Sequence, residues 1–328
     1  MLYPLKFSPI LVSKIWGGDK LSYKSKDPKK KENIGESWEI SALQGDISVV
    51  SDGILAENDL QELVEIYMGD LVGDKVYEKF GLEFPLLIKY IDAQEDLSIQ
   101  VHPNDELAKK RHKAYGKTEM WYVVDAEPDA KVVLGFKEKA DLSDYIINLN
   151  NNTLPNILNS IDVDKGDCIF IPSGTIHAIC KGCLMLEIQE TSDITYRIFD
   201  YNRKDKDGNK RELHTDLAKE AIDFNQIKKS KISYNRHLNH FEELVKCEYF
   251  TTNILEFDKE IEQDYARIDS FVIYMCVEGE FTLVYEDEKF IKVKKGDTIL
   301  IPACFDSVFL IPDKKSGKAT VVESYIEL

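Results

Sequence analysis

Short apolar runs rich in β-branched and aromatic side chains follow one another along this chain, separated by Gly, Asp and Asn. That rhythm predicts strands, because a strand alternates its faces every second residue and ends at turn formers. The clearest runs lie at 86–91, 131–136, 183–189, 250–257 and 320–326. Many such strands joined by tight turns fit a jelly-roll sandwich or barrel. Helical spacing interrupts the pattern. Leu60, Leu63, Val64, Tyr67 and Leu71 recur at helical intervals within 60–80, with a break expected at Gly69 or Gly73. Segments 141–150 and 154–160 read as a helical insertion. Segment 104–115 reads as a short helix, capped by Asn104 or Asp105 and stopped by Gly116.

The chain contains a repeat. Lys165-Gly-Asp-Cys-Ile-Phe-Ile-Pro172 recurs as Lys295-Gly-Asp-Thr-Ile-Leu-Ile-Pro302, and Trp121-Tyr-Val-Val-Asp resembles Ile273-Tyr-Met-Cys-Val. Two copies of one β-rich unit are implied. The expected fold is mainly β, two barrels with helical insertions in the N-terminal half. The boundary is expected between Phe224 and Tyr234, around Gln226-Ile-Lys-Lys-Ser-Lys, giving units 1–228 and 229–328.

The first copy carries candidate chemistry. Gln100 and His102 point the same way from a strand at 98–102, which Pro103 ends. Glu119, Trp121 and Val123 share a face of the next strand. Gly174 relaxes a turn so that His177 faces back into the barrel. Two imidazoles, a carboxylate and an amide oxygen make a mononuclear site suited to Zn²⁺, Fe²⁺ or Mn²⁺. Gln100 is either a ligand or a hydrogen-bonding partner of the ligands. The second copy lacks this set: Ser307 stands in the place of His177, Cys304 in that of Gly174, and Phe271 near that of Glu119. The remaining histidines, His112, His214, His237 and His240, read as ordinary core or surface residues. Cys180-Lys-Gly-Cys183 has CxxC spacing but no second CxxC, so it reads as a hairpin turn flanked by small side chains rather than a metal knuckle.

Charge narrows the partners. The chain has 328 residues, with 42 Lys and Arg against 59 Asp and Glu, for a net charge of −17. That balance argues against nucleic acid and anionic membranes. The basic run at 24–32 and the polar stretch at 204–211 read as solvated loops, the former a candidate for the mouth of an anionic-substrate site. No apolar run approaches the ~20 residues of a spanning helix. The N-terminus lacks a signal-peptide pattern, so a cytoplasmic location is expected.

Gly166-x5-Pro172-x-Gly174-x2-His177 resembles the second motif of the cupin superfamily. Further stretches are similar to one branch of it, the type I mannose-6-phosphate isomerases in their short bacterial form. These are Pro4-Leu-Lys-Phe7, Ile15-Trp-Gly-Gly18, Gly35-Glu-Ser-Trp-Glu-Ile-Ser41, Ser98-Ile-Gln-Val-His-Pro-Asn104, Gly116-Lys-Thr-Glu-Met-Trp-Tyr122 and Thr195-Tyr-Arg-Ile-Phe-Asp-Tyr201. The resemblance covers residues 1 to about 210 by motif; beyond that only the repeat supports it. It implies two cupin barrels, the second without metal ligands, and interconversion of D-mannose 6-phosphate and D-fructose 6-phosphate. It implies one Zn²⁺ per chain on Gln100, His102, Glu119 and His177, with Arg197 catalytic. Ser98, Lys117, Glu187 and Asp193 match the pocket, which Trp16 and Glu36 approach. The implied partner is a sugar phosphate, with the protein a monomer or homodimer.

The residues constrain the roles. Isomerisation through an enediol needs a base for a C–H proton and stabilisation of the enediolate. Arg197 is permanently charged, so it is suited to neutralising an oxyanion or clamping an anionic group rather than to taking a proton. By period 2, Arg197, Phe199 and Tyr201 share a face. Lys117 is the expected base if burial and a metal charge lower its pKa, with Glu187 and Asp193 as alternatives. Two rivals remain: a metal-dependent (Fe) cupin oxygenase on the same ligands, and a non-catalytic sugar-binding bicupin.

Overall fold

The computed structural model describes residues 2–25, 27, 32–205, 207–225, 230–286 and 289–328. Most of the basic run at 24–32, Lys206, and residues 226–229 at the expected boundary lie outside the described residues. Among those described, no helix is long and apolar enough to cross a membrane.

The fold is mainly β, as the alternating pattern predicts. Its contacts do not follow a single cut at 228/229. One compact unit comprises Ile10–Trp38 and Leu87–Ile232; the other comprises Met1–Pro9, Glu39–Leu86 and Ser233–Leu328. The reason is long-range backbone pairing. Leu5 N–H donates to Leu300 O at 2.7 Å, Phe271 N–H to Val72 O at 3.1 Å, and Ala303 N–H to Leu71 O at 3.0 Å.

The first of these units is built on two sheets. One runs in the order Cys168–Ile171, Glu119–Ala126, Cys183–Glu190, Leu86–Ala93, Ile10–Gly18, Ile34–Ile40; the other in the order Leu158–Asp162, Lys131–Phe136, His177–Ile179, Ile99–Val101, Tyr196–Phe199. Trp16, Trp121, Val123 and Met185 of one sheet pack on Val132, Leu134 and Ile179 of the other. Ile99 and Val101, which flank Gln100, join a separate cluster with Ala178, Tyr196 and Ile198. That cluster is covered by Tyr145 of helix Leu142–Asn150 and Ala218 of helix Thr215–Ala221. Period 2 thus sends the apolar neighbours out and Gln100 in.

Segment 60–80 is helical with the expected break at Gly73, and a second break at Met68 divides it into Leu60–Tyr67, Gly69–Val72 and Asp74–Phe80; φ is positive at both breaks. Three local expectations are corrected. Segment 154–160 is a single 3-10 turn, Leu154–Ile157, followed by strand Leu158–Asp162, because pairing with Lys131–Phe136 outweighs a short helix. The helix Asp105–His112 is capped by Asn104, but it ends at Lys113 in the left-handed region, not at Gly116. Gly116 serves closeness instead: a Cβ there would lie 2.6 Å from Asp105 N. Finally, a register shift between Arg197 and Phe199 breaks their alternation. Phe199 packs in the same cluster as Ile198, and Tyr201 lies in the turn beyond the strand.

The second unit repeats the sheet pairing of the first. Gly166 N–H donates to Val123 O and Val123 N–H to Asp167 O; likewise Gly296 donates to Cys276 O and Cys276 to Asp297 O. Ile171 stands opposite Glu119, and Ile301 opposite Val272. Val272, one residue beyond Phe271, is therefore the counterpart of Glu119. In the same register Tyr274 faces Glu323 as Trp121 faces Glu187. Glu323 is buried and takes hydrogen bonds from Tyr265 and Asn253, and the Tyr265 and Tyr274 hydroxyls meet beside it. A buried tyrosine–glutamate hydrogen-bond group thus stands at the register positions that Trp121 and Glu187 hold in the other unit.

Candidate active site

Three turns and strand ends deliver the central side chains. Gly174 has φ +86°, a conformation that favours glycine, and its N–H is held by His102 O at 2.8 Å. Strand His177–Ile179 follows and sets His177 directly opposite Gln100. Glu119 begins its own strand, opposite Ile171 on one side and Gln189 on the other. His102, Glu119 and His177 bring one ligand atom each within 4.8 Å of one another, all buried.

The hydrogen bonds define the tautomers. His102 Nδ1 lies 2.8 Å from Ile194 O and His177 Nδ1 lies 2.9 Å from Thr175 O. A carbonyl only accepts, so both Nδ1 atoms carry the proton and both Nε2 lone pairs face inward. Burial, reinforced by the charge of Lys117, holds His102 well below the usual imidazole range. Burial pushes His177 down to about 4. Both are neutral near pH 7, the form that binds metal. Their Nε2 atoms lie 3.6 Å and 3.4 Å from the Glu119 carboxylate. Glu119 Oε1 is buried with no hydrogen-bond partner. An orphaned carboxylate oxygen between two inward lone pairs is the donor set a divalent cation satisfies.

Behind the triad runs a line of alternating charges. Lys117 Nζ is 2.5 Å from Glu119 Oε2, 3.3 Å from His102 Nε2 and 3.7 Å from Glu187 Oε1. Lys89 Nζ lies 3.6 Å from Glu187 Oε1 and 4.8 Å from the centre of the Trp38 ring. Trp121 Nε1 donates to Glu187 Oε2 at 2.9 Å. Lys14 pairs with Glu36 at 3.1 Å, and Trp38 Nε1 donates to Glu36 at 2.7 Å. Burial raises Glu187, but Lys117 and Lys89 outweigh it and leave it below the ordinary carboxylate value. Burial likewise pulls Lys117 down, but Glu119 and Glu187 outweigh it and hold the ammonium above the ordinary lysine value. The expected lowering of Lys117 is therefore not supplied by the protein's own groups. Burial pushes Glu119 up to about 7, with Glu187 adding to it and Lys117 opposing.

A second charged cluster lies one strand away. Arg197 stands opposite Gln100. Its Nε donates to Ser98 Oγ at 3.2 Å and its terminal nitrogen to Glu212 O at 2.9 Å. Burial and the nearby charge of Arg211 lower its pKa. Buried Asp200 receives Arg203 Nε at 3.1 Å and Arg211 Nε at 2.8 Å. Tyr201 and Asn202 both have positive φ, and Arg203 N–H returns to Asp200 O at 2.9 Å, so the turn folds Arg203 back over Asp200.

The structure thus joins Gln100, His102, Glu119, His177, Lys117 and Glu187, with Ser98 and Arg197 beside them. Glu36 meets the line through Lys14 and Trp38. Trp16 is buried in the core between the sheets. Asp193 is exposed, next to the Ile194 carbonyl that holds His102. Cys183 is buried in the core and Cys180 packs at the outer cluster; burial pushes both thiols up to about 12 and leaves them unreactive. Sequence reasoning missed Lys89, although a lysine within the apolar run Leu86-Leu-Ile-Lys-Tyr-Ile91 was a signal. It also missed Asp200, Arg203 and Arg211, the last of which sits in a stretch read as a solvated loop.

Comparisons with known proteins agree in both halves. Residues 5–138 match the family described as phosphomannose isomerase type I, catalytic domain, and residues 240–326 match mannose-6-phosphate isomerase, cupin domain. The chain is 36% identical to mannose-6-phosphate isomerase ManA of Bacillus subtilis over 91% of this chain and 93% of that protein. It is 33% identical to a mannose-6-phosphate isomerase of Streptococcus mutans over 92% and 93%. The crystal structure of a Bacillus subtilis mannose 6-phosphate isomerase superposes with a TM-score of 0.87 at 32% identity, covering 99% of this chain and 100% of that one. Phosphomannose isomerase from Salmonella typhimurium shares the fold at 17% identity, with a TM-score of 0.79 and full coverage of both chains.

Proposed function

The chain belongs to the type I mannose-6-phosphate isomerases, and from that premise we propose that it interconverts D-mannose 6-phosphate and D-fructose 6-phosphate by proton transfer through an enediol. The observation that carries this reading is the convergence of two neutral imidazoles and an orphaned carboxylate oxygen beside Lys117. One Zn²⁺ fits that donor set, with Gln100 completing it once its amide oxygen faces inward. A bound divalent ion would polarise the sugar oxygens and take up the charge of Glu119 that now holds Lys117.

The protein's own groups then divide the work. With Glu119 committed to a metal, Lys117 would act as the neutral amine: it takes the proton from one of C1 and C2, becomes the ammonium, and returns the proton to the other carbon, while Glu187 steers it. Lys89 keeps Glu187 ionised, and Glu36 acts on Lys89 from the far side. Arg197 and Ser98 meet the substrate one strand from the triad. The three guanidiniums of Arg197, Arg203 and Arg211, opposed by the single buried carboxylate of Asp200, supply the local positive charge that a phosphate dianion needs in an acidic protein. Asp193 stands at the rim as a further substrate contact, and Trp16 serves as the wall. We also read each unit as a cupin jelly-roll barrel, the enzyme as cytoplasmic, and its active form as a monomer or homodimer.

The test is a coupled assay for fructose 6-phosphate formed from mannose 6-phosphate, before and after chelation. Turnover should vanish with the metal and return on adding zinc. Full turnover in metal-free protein would overturn the reading.

A further inference from the structure

We propose that Glu190, with Asp105, is a positioning device for Lys117: a carboxyl pair that clamps the backbone from which Lys117 projects. The inference rests on the reading of Lys117 as the proton-transfer group, but its own evidence is separate.

Lys117 precedes the strand Glu119–Ala126, so sheet pairing does not fix it. Its backbone is held otherwise. Gly116 N–H donates to Asp105 Oδ1 at 2.7 Å, Lys117 N–H to Pro103 O at 3.2 Å, and Thr118 N–H to Glu190 Oε1 at 2.6 Å. Thr118 O in turn accepts from Glu190 N–H at 3.2 Å. Three consecutive N–H groups around one lysine are thus tied down, two of them by side-chain carboxyls from separate elements. Gly116 leaves no room to slide, since a Cβ there would lie 2.6 Å from Asp105 N and 2.7 Å from the carbonyl carbon of Asn104.

The two carboxyls are themselves joined. Glu190 and Asp105 share a side-chain hydrogen bond, and burial with the nearby Asp105 charge pushes Glu190 up to about 8. A hydrogen bond between two carboxyls needs one proton, and buried Glu190 is the group that keeps it. Protonated Glu190 donates to Asp105 and still accepts from Thr118, so one side chain links the helix start at Asn104–Asp105 to the lysine segment. Glutamine has the same valence: its amide oxygen accepts from Thr118 and its NH₂ donates to Asp105. A small misplacement of a reacting group is expensive, ~10²-fold for about 1 Å. The ammonium that must reach substrate is set by this clamp rather than by the strand.

The experiment compares Glu190→Ala, Glu190→Gln and Asp105→Ala, each alone and in a Lys117→Met background. Readouts are kcat, KM for mannose 6-phosphate, bound metal and melting temperature. Glu190→Ala should lower kcat by about tenfold or more, with KM and metal content within about twofold of the parent. Glu190→Gln should recover most of that loss. Asp105→Ala, at a half-buried position, should show a smaller loss of the same kind and keeps the test open if Glu190→Ala fails to fold. In the Lys117→Met background none of the three substitutions should lower kcat further. Unchanged kcat in Glu190→Ala, no recovery in Glu190→Gln, or additive losses with Lys117→Met would each overturn the proposal while leaving Lys117 as the base. Near-normal turnover in Lys117→Met alone would overturn the base assignment itself, and the clamp's purpose with it.

Discussion

Gln100 and His177 face each other across two antiparallel strands, with the amide nitrogen of one 3.3 Å from the Nε2 of the other. Because Nδ1 of His177 is committed to Thr175 O, its Nε2 is a lone pair, and the Gln100 NH₂ points a hydrogen at it. Turning the amide by 180° would present Oε1 to the same space, so Gln100 either caps that lone pair or, turned, offers its oxygen to a cation beside it. Gln100→Leu removes both options while keeping bulk. Metal affinity should fall about 10- to 100-fold, the cost of losing an orienting partner. Competition with a graded series of chelators measures it, and unchanged affinity would remove Gln100 from the centre.

The triad itself should be all or nothing. Elemental analysis of purified protein is expected to find close to one divalent ion per chain. His102→Ala/His177→Ala should lose it, because Glu119 alone leaves too few donors. A second ion per chain, or one that survives in the double variant, would contradict a single centre.

Lys117→Met keeps the apolar stem and removes the amine. The fold and the metal should persist, since Glu119, His102 and His177 are untouched. Exchange of the C2 proton with solvent should drop by about 10²-fold or more, the scale of a lost general base. If the proton still exchanges at the parent rate, Glu187 is the next residue to change.

Arg197 has two candidate tasks, and kinetics separate them. Its neighbours Arg203, Arg211 and Ser98 favour the phosphate. Arg197→Lys should then raise KM for mannose 6-phosphate by about tenfold or more, the value of one or two charge-assisted hydrogen bonds, with kcat less affected. A fall in kcat of about 10²-fold at constant KM would instead place Arg197 on the enediolate.

Glu190 also predicts a pH effect on stability. Its folded pKa, about 8, lies above that of an unfolded glutamate, so the folded state binds the extra proton. The stabilisation is complete below the ordinary carboxylate range and is lost as pH rises through about 8. Glu190→Gln cannot ionise. The melting-temperature difference, variant minus parent, should therefore grow from pH 6 to pH 9. A constant difference across that range would show that Glu190 is already ionised at neutral pH.

Much of the centre was legible in the sequence because its signals are local. Strand period placed Gln100 with His102, and Gly174 marked the turn that returns His177. The repeat pointed to a second copy of the β-rich unit, with Ser307 in the place of His177. What lay beyond local signals needed partners far apart in the chain. The counterpart of Glu119 is Val272 rather than Phe271, because hydrogen-bond register decides it and sequence similarity alone slips by one residue. Glu39–Leu86 joins the C-terminal residues through backbone pairing that no spacing rule encodes. Lys89 became part of the site only when its strand lay beside that of Glu187. The charge state of Lys117 likewise follows from two carboxylates brought against it in space. Period, turn grammar and residue type are properties of neighbours in sequence; register and electrostatics are properties of neighbours in space, and only folding supplies those.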